Sequence, residues 1–512
     1  MKKAKWIALV LCMAMLSVLM AGPAAAADKT ELVIGSDYEP TDMNYYDGAT
    51  DSQGTILALV YDTLFTWDGD ELVGSLVESY EYGGDDGLDL ILHLREGVTF
   101  SNGDPLTADD VLFVMEQNLS GPATAPRFAC IDMENSYAED ETTVVFHTFQ
   151  FDNALLPYLA SEFGRVVDSK YYEEAGRDEA LGASPVGTGP YVIDNWDHGT
   201  SLTLVKNNSY WGDDSAQPFE TITFKFFSED SIRSLEFEQG NLDIALLETA
   251  ESVNRLSNRE DEGICVLSTP LTKEGYLCMA TIIEDDTFQD ENKRLAVAYA
   301  LDMPAIVETI AGPTAITATS LVPSGCPGFV DMAYEYNPDL AKEYLEKAGC
   351  PDGFTFKMEV ANNQQLNLEL AEAMQAYLSM VGITMEIEPL DFFTQFGNML
   401  AGKQLCSIMV GTANGDASMA LTAFQPGSGA CIAENHDEEF VRLLEAVRYE
   451  EDQDARMELM EELQQYMHDT AYCIPVYERV YSLAYQDYVT GVEGALMKGE
   501  NMFFANRLSF AE

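Results

Sequence analysis

Stretches of two-residue alternation and stretches of helical spacing follow one another along this chain. Ser201–Lys206 sets apolar Leu202 and Leu204 beside polar Thr203 and Lys206, the pattern of a half-buried strand. Just upstream, Tyr191–Trp196 is a run of β-branched and aromatic residues suited to a second strand, and His198–Thr200 supplies a turn between the two. Gly187 and Gly189 precede this hairpin in a turn where they can take left-handed backbone angles, while Pro190 fixes its own φ. Further strands are predicted at Glu31–Gly35, Leu88–Arg95 and Val98–Phe100. Helices are predicted over Gln53–Phe65, Ala108–Gln117 and Ser231–Gln239, the last ended by Gly240. Thr107 is an N-cap with Asp110 at the third position, a capping box with Asp in the usual place of Glu. Leu295, Ala298, Tyr299 and Leu301 fall at helical spacing, Asn337–Gly349 is a capped helix with a terminal glycine, and Met374–Met380 leads through Gly382 into a strand ending at Ile387.

The first 27 residues break this rhythm. Lys2, Lys3 and Lys5 precede an apolar run from Trp6 to Ala21, and Gly22–Ala27 ends the segment in small residues. That order is a secretory signal peptide, with cleavage expected near Ala26 or Ala27. The run falls short of the roughly 20 residues of a spanning helix. Cys12 follows Leu11, where a lipid-attachment site needs a small residue, so no lipid anchor is expected. The remaining 512 − 27 = 485 residues exceed one core and imply two or three domains.

Charge narrows the partners. The full chain carries 27 basic and 87 acidic residues, a net −60, and loss of the three signal lysines gives 24 − 87 = −63. Such a surface repels nucleic acid and anionic lipid and favours solubility and cationic partners. With 47% hydrophobic residues the chain is globular, not an acidic disordered tail. Eight cysteines follow the signal, at 130, 265, 278, 326, 350, 406, 431 and 473; none forms a C-x-x-C pair, and their pairing is open.

Candidate chemistry is sparse. No G-x-S-x-G, H-E-x-x-H or phosphate loop occurs, and acids are too numerous for one pair to stand out as general acid and base, so no enzyme is expected. The five histidines form no i, i+3 or i, i+4 pair, so neither a protein-ligated metal nor a cofactor is expected. His436, in the acidic turn Glu434–Glu438, could reach a chelate, although an exposed turn histidine explains it as well. Ser36–Tyr46 is a polar-aromatic loop with no packing reason to carry Tyr38, Tyr45 and Tyr46 together; these, with Asn44, are candidate ligand or domain contacts.

Several segments resemble one family. GTGPY at Gly187–Tyr191 with Trp196 and Tyr210–Trp211, LHLREGVTFSNGDPLTADDV at Leu92–Val111, GNLDIA at Gly240–Ala245, the run Asn292–Asp302 with Arg294 and Asp302 in place, and Asn337–Gly349 are similar, in order, to segments of the extracytoplasmic solute-binding proteins of the peptide/nickel type, family 5. The chain is identified as a member of that family, the binding components of ABC importers. The resemblance implies an α/β, two-lobed periplasmic-binding-protein-like fold of the large cluster C type, with three subdomains, a hinge and an interlobe cleft. On that plan lobe I is expected over 28–283 and 484–512, with an extra subdomain near 71–184, and lobe II over 284–483. The hinge candidates are Tyr276–Ile283 and Val476–Ala484. Membership also implies a monomeric protein outside the cytoplasmic membrane that passes a peptide or peptide-like solute to permease subunits. A nickel chelate, sugar or opine ligand, or a surface receptor or adhesin role, are the alternatives.

In peptide-binding members an aspartate pairs with the ligand's ammonium group. The matching segment here is Ser407–Met419, in which Ala413 takes the aspartate's place and Asp416 is the nearest substitute; Asp416 as a cap of the helix starting near Ser418 is an equal reading. Tyr276, Thr412, Ala413, Asn414 and Asp416 complete the expected ligand-binding set.

Overall fold

The computed structural model of the chain describes residues 29–44, 51–69, 71–85, 87–121, 124–177, 179–362, 364–413, 416–426, 436–496 and 503–511. The signal segment, Tyr45, Tyr46, Asn414 and Cys431 lie outside the described residues.

Two long antiparallel strands, Ile264–Met279 and Cys473–Gln486, run through the middle of a nine-stranded mixed sheet. On one side of this pair the sheet continues through Ile244–Leu247, Glu31–Ser36, Thr221–Phe226, Ser201–Lys206 and Tyr191–Asp197. On the other side Cys406–Thr412 forms the edge. The near ends of the long strands, at Ile264 and Ala484, pack into cores built from residues 32–256 and 489–508. Their far ends, at Leu277, Met279, Ile474 and Val476, pack into cores drawn from residues 276–477. One pair of strands therefore belongs to two separate apolar bodies. Between them the ladder slips: Pro270 faces Val480, but Glu274 faces Glu478, so three residues of one strand oppose a single residue of the other.

The first body carries an added four-stranded antiparallel sheet of Val77–Gly83, Asp89–Leu94, Thr143–His147 and Tyr137–Asp140. The second body contains a parallel pair, Thr355–Ala361 with Thr384–Leu390, joined by the helix Gln365–Ser379. Asp110 accepts from both the backbone N–H and the hydroxyl of Thr107 at 2.8 Å, completing the expected box at the start of the helix Ala108–Ser120. None of the seven described cysteines is in a disulfide, and the Cys473 thiol donates to Cys278 Sγ at 3.6 Å, the two lying opposite each other on the long strands. Among the described residues no helix is long and apolar enough to cross a membrane.

Two local expectations are corrected by tertiary contacts. The predicted helix Gln53–Phe65 spans Asp51–Val60 and gives way to a strand at Phe65–Asp68. The Asp62 backbone N–H turns to the Thr188 hydroxyl (3.3 Å), while the Asp62 carboxylate accepts from Thr188 (3.1 Å) and from Trp211 Nε1 (2.8 Å). A partner distant in sequence thus outbids the next helical turn. Gly187 and Gly189 do not adopt positive φ. They are required by close approach: a Cβ on Gly187 would lie 2.1 Å from the Val60 carbonyl oxygen, and one on Gly189 would lie 2.5 Å from that of Leu59. The hairpin's glycine motif is therefore a seam that presses backbone on backbone, and Asp62 bolts it.

Burial pushes the Asp62 carboxyl up to about 6, against its bonds to Trp211 and Thr188, which pull it down. The folded chain then holds this proton more tightly than the unfolded chain, whose ordinary value is 3.8. Its stabilising share is complete below that value and is lost as pH rises through about 6, a change of at most about 3 kcal/mol. Asp62→Asn should flatten this component. Urea denaturation across pH 4 to 7 is expected to show a smaller loss of stability for the variant than for the parent; parallel profiles would remove Asp62 from the account.

Candidate functional site

Where the two bodies face each other the structure encloses a cavity of about 250 Å³. Its wall on the first body is the turn at Pro126–Arg127 together with Tyr158, Glu162 and Phe163. The Arg127 guanidinium lies over the Phe163 ring, 4.8 Å from its centroid. The opposing wall is Tyr276, the end of the edge strand at Val410–Thr412, and the helix Ala417–Thr422 with the residues that follow it. The Tyr158 hydroxyl bonds the Thr422 side chain across the gap, and burial raises its pKa. Met419 reaches over from the second body and joins the largest apolar core of the first.

Backbone geometry gives this wall its chemistry. Cys406–Thr412 pairs on one side with Ile264–Met279, Thr412 opposite Lys273 and Gly411 opposite Glu274. As the terminal strand of the sheet it has no strand on its other side among the described residues. Its unpaired main-chain groups are available to a further extended chain. Tyr276 stands beside that edge, 3% exposed, its ring 5.1 Å from Phe424 and its hydroxyl above Gly411. A Cβ on Gly411 would fall 2.7 Å from the Tyr276 hydroxyl, so the glycine is what lets the ring lie there.

A polar clasp closes the bodies farther out. Asp152 and Arg448, 3% and 4% exposed, form an ion pair from opposite bodies. Asn153 adds its N–H to the Arg448 carbonyl (2.9 Å) and its side-chain amide to the carbonyls of Arg448 (3.0 Å) and Glu450 (2.6 Å). Gln453 returns a bond to Asn153 at 3.1 Å. A buried pair of this kind is held in place because losing one partner strands the other's charge.

The residues singled out from the sequence fall in different places. Tyr276 and Thr412 line the cavity. Ala413 is fully buried, its carbonyl oxygen 3.9 Å from the Cys326 thiol. Asp416 is the N-cap of Ala417–Thr422, accepting from the Ser418 N–H at 2.9 Å, and its two oxygens lie 2.8 Å from Arg456 Nη2. Tyr38 is 56% exposed at the end of the first strand, its hydroxyl pKa raised by partial burial and by Glu248 and Asp37 against the pull of Arg233 and Arg479. Asn44 is in a turn, its N–H bonded to the Asp42 carboxylate at 2.9 Å and its carbonyl to Gln53 at 3.1 Å. His436 is exposed just before the helix Glu438–Tyr449. Arg127, Tyr158 and Phe163 escaped the sequence reading because they come together only through the added sheet's packing, and nothing in their local spacing marks them. Among the described residues no group of three His, Cys, Asp or Glu side chains could hold a metal ion.

Comparison with known proteins agrees with this architecture. The chain is 26% identical over 379 residues to the glutathione-binding protein GsiB of Escherichia coli K12, covering 73% of this chain and 72% of that one. The fold matches DppA from Helicobacter pylori in complex with peptide STSA, with a TM-score of 0.82, 21% identity and coverage of 94% and 98%. It also matches AgaA in complex with agropinic acid, from A. tumefaciens R10, at 0.80, 22% identity and coverage of 94% and 99%. The family model of the bacterial extracellular solute-binding proteins, family 5 middle, matches residues 71–430, and the chain belongs to that family.

Proposed function

We propose that this chain is the solute-capturing component of an ABC importer, which takes up a peptide or peptide-like solute and hands it unaltered to permease subunits. The observation that carries this reading is the free edge of Cys406–Thr412 facing the cavity at Val410–Thr412. An extended peptide adds to such an edge through main-chain hydrogen bonds, and flanking pockets read its side chains. A glutathione-binding relative and a fold neighbour in complex with a peptide support the same class of ligand. The cavity, about 250 Å³, is near the small end of ligand sites and suits a short solute. That size, with the likeness to AgaA, keeps an opine as the second reading.

On this reading the protein acts outside the cytoplasmic membrane, as a monomer, and without catalysis. The pivot lies at the ladder slip between Pro270 and Glu274, so lobe II begins ahead of the expected boundary at 283, with Tyr276, Leu277 and Met279 in its cores. Solute binding favours the closed form because only there do both walls touch it. Tyr276 and Thr412 are proposed solute contacts, while Ala413 and Asp416 support the wall behind them.

Native mass spectrometry of protein purified without refolding should find a retained compound of peptide mass and composition. Retention of saccharide alone would overturn the peptide class. The clasp gives a separate test of closure. Asp152→Ala strands the buried Arg448 charge and should cost about 3–5 kcal/mol of clasp energy. Solution scattering should then give a larger radius of gyration than the parent without ligand, and solute affinity should fall with the closed population. An unchanged radius would mean that the clasp does not hold the lobes together.

A further inference from the structure

The chain enters the second body on Ile264–Met279 and leaves it on Cys473–Gln486, so both crossings stand side by side in one ladder. Past the slip, and past a second register shift between Gly275 and Tyr276, the pairing is regular again: Tyr276 faces Pro475, Leu277 faces Ile474 and Cys278 faces Cys473. Opposed residues of an antiparallel pair project from the same face. The two cysteines share a core with Leu463 and Met467, are 0% and 1% exposed, and hold their sulfurs 3.6 Å apart. Cys406, on the third strand, is opposite Met279 and packs with it in the core on the other face of the sheet. Cys326 belongs to the pair's own core but points its thiol at the Ala413 carbonyl.

Buried cysteines often serve as small apolar filler, and each of these two would pass for that alone. Their mutual placement says more, since the side chains meet sulfur to sulfur across the ladder. Opposed residues of an antiparallel pair have Cα atoms about 4.5–5.5 Å apart, inside the span of about 4.4–6.8 Å that a disulfide bridges. The sulfurs have about 1.5 Å left to close to reach bonding distance, which small side-chain rotations supply with the strands left in place.

We propose that Cys278 and Cys473 are joined by a disulfide in the working protein, a staple across the neck of the second body. The proposal rests on the reading that the chain acts outside the cytoplasmic membrane, where disulfides form and persist. The oxidant is a disulfide-bearing reagent, protein or small molecule. One cysteine thiolate attacks its S–S bond to give a mixed disulfide and release one thiol. The second thiolate then attacks the cysteine sulfur of that intermediate, and the other half of the oxidant leaves as a thiol. The pair's two electrons and two protons thus pass to the two thiols released. Burial of both sulfurs shuts the folded pair off from such a reagent, so the bond forms while the chain folds and is afterwards shielded from reduction. The loop it closes holds residues 279–472, nearly all of the second body, and its closure removes freedom from that body's unfolded chain. Because the staple lies past both register shifts, the pairing at the pivot is untouched.

In the first arm of the test the full chain is produced with its own signal segment, purified unreduced, denatured, alkylated and digested. Mass spectrometry should find the peptides of Cys278 and Cys473 linked, and the intact chain lighter than its reduced form by two hydrogen atoms. The second arm unfolds and reduces the purified chain, then refolds it with or without hydroxyethyl disulfide. The linked chain should melt at least about 5 °C above the reduced one. It should also keep its bond in dithiothreitol while folded and lose it once urea is added. The double variant Cys278→Ala, Cys473→Ala should melt at one temperature after either refolding; should it fail to fold, the parent's linked and reduced forms decide the matter. Linkage in the second arm alone upholds the staple and overturns the reading of an exported chain. Recovery of both cysteines as alkylated thiols from both arms, or of either joined to a different cysteine, overturns the staple, as does a linked chain that melts no higher than the reduced one.

Discussion

The structure depends on one backbone constraint: Ile264–Met279 and Cys473–Gln486 must be hydrogen-bonded to each other while their ends lie in different apolar cores. A ladder of that length would make the two bodies a single rigid plate. The slip between Pro270 and Glu274 interrupts it where neither core has a claim. Pro270 has no N–H to give the ladder, and the extra residues on its strand loosen the pairing locally without breaking the strand at either end. On the proposed function, small backbone rotations there would move whole lobes, because the cores on both sides are too well packed to deform.

Burial of charge is treated differently in each region. Arg233, fully buried in the first body, gives its N–H groups to the Leu246 and Phe227 carbonyls and to the carboxylates of Asp230 and Glu248. Asp416 with Arg456 is a similarly paired group within the second body. Asp152 with Arg448 is paired between bodies, so its desolvation is offset only when the bodies meet. Among the described buried acids, Glu274 has a hydrogen-bond donor at neither oxygen. A chain with 87 acids and 27 bases cannot pair them all, but most of the excess lies in water, where an unpaired charge costs little. The excess at the ladder slip, Glu274 with Glu478, is dry.

Much of the architecture was legible from local patterns, because the signals were local. The Tyr191–Asp197 and Ser201–Lys206 hairpin, the Thr107 capping box and the Asn337 cap of Pro338–Lys347 depend on residues a few positions apart, and each is present. What local patterns missed depends on distant partners. The helix expected through Phe65 stops at Val60 because Thr188 and Trp211 claim Asp62. The motif glycines looked like turn formers but serve a close backbone crossing with Leu59 and Val60. Of the cavity, the sequence indicated Tyr276 and Thr412 through their place in a familiar order of segments, whereas Arg127, Tyr158 and Phe163 carried no local mark. Glu274 was hidden among many acids, since composition cannot tell a buried carboxylate from a solvated one.

Ala413 shows how a resemblance in sequence can misplace a side chain. The resemblance led to an expected carboxylate there, and the nearest acid in sequence, Asp416, is already engaged by Arg456 and by the helix it caps. Sequence proximity was a poor guide because the strand turns away after Thr412: Ala413 packs into the core against Cys326. The Cys326 thiol in turn feels Glu274, Asp416 and Glu478, all of which raise its pKa beyond what burial does. Glu274 and Glu478 on the neighbouring strands therefore add to Asp416 in the negative surroundings of this thiol. A charge requirement can be met by any residue whose side chain reaches the same few ångströms, and a sheet brings together residues more than a hundred positions apart.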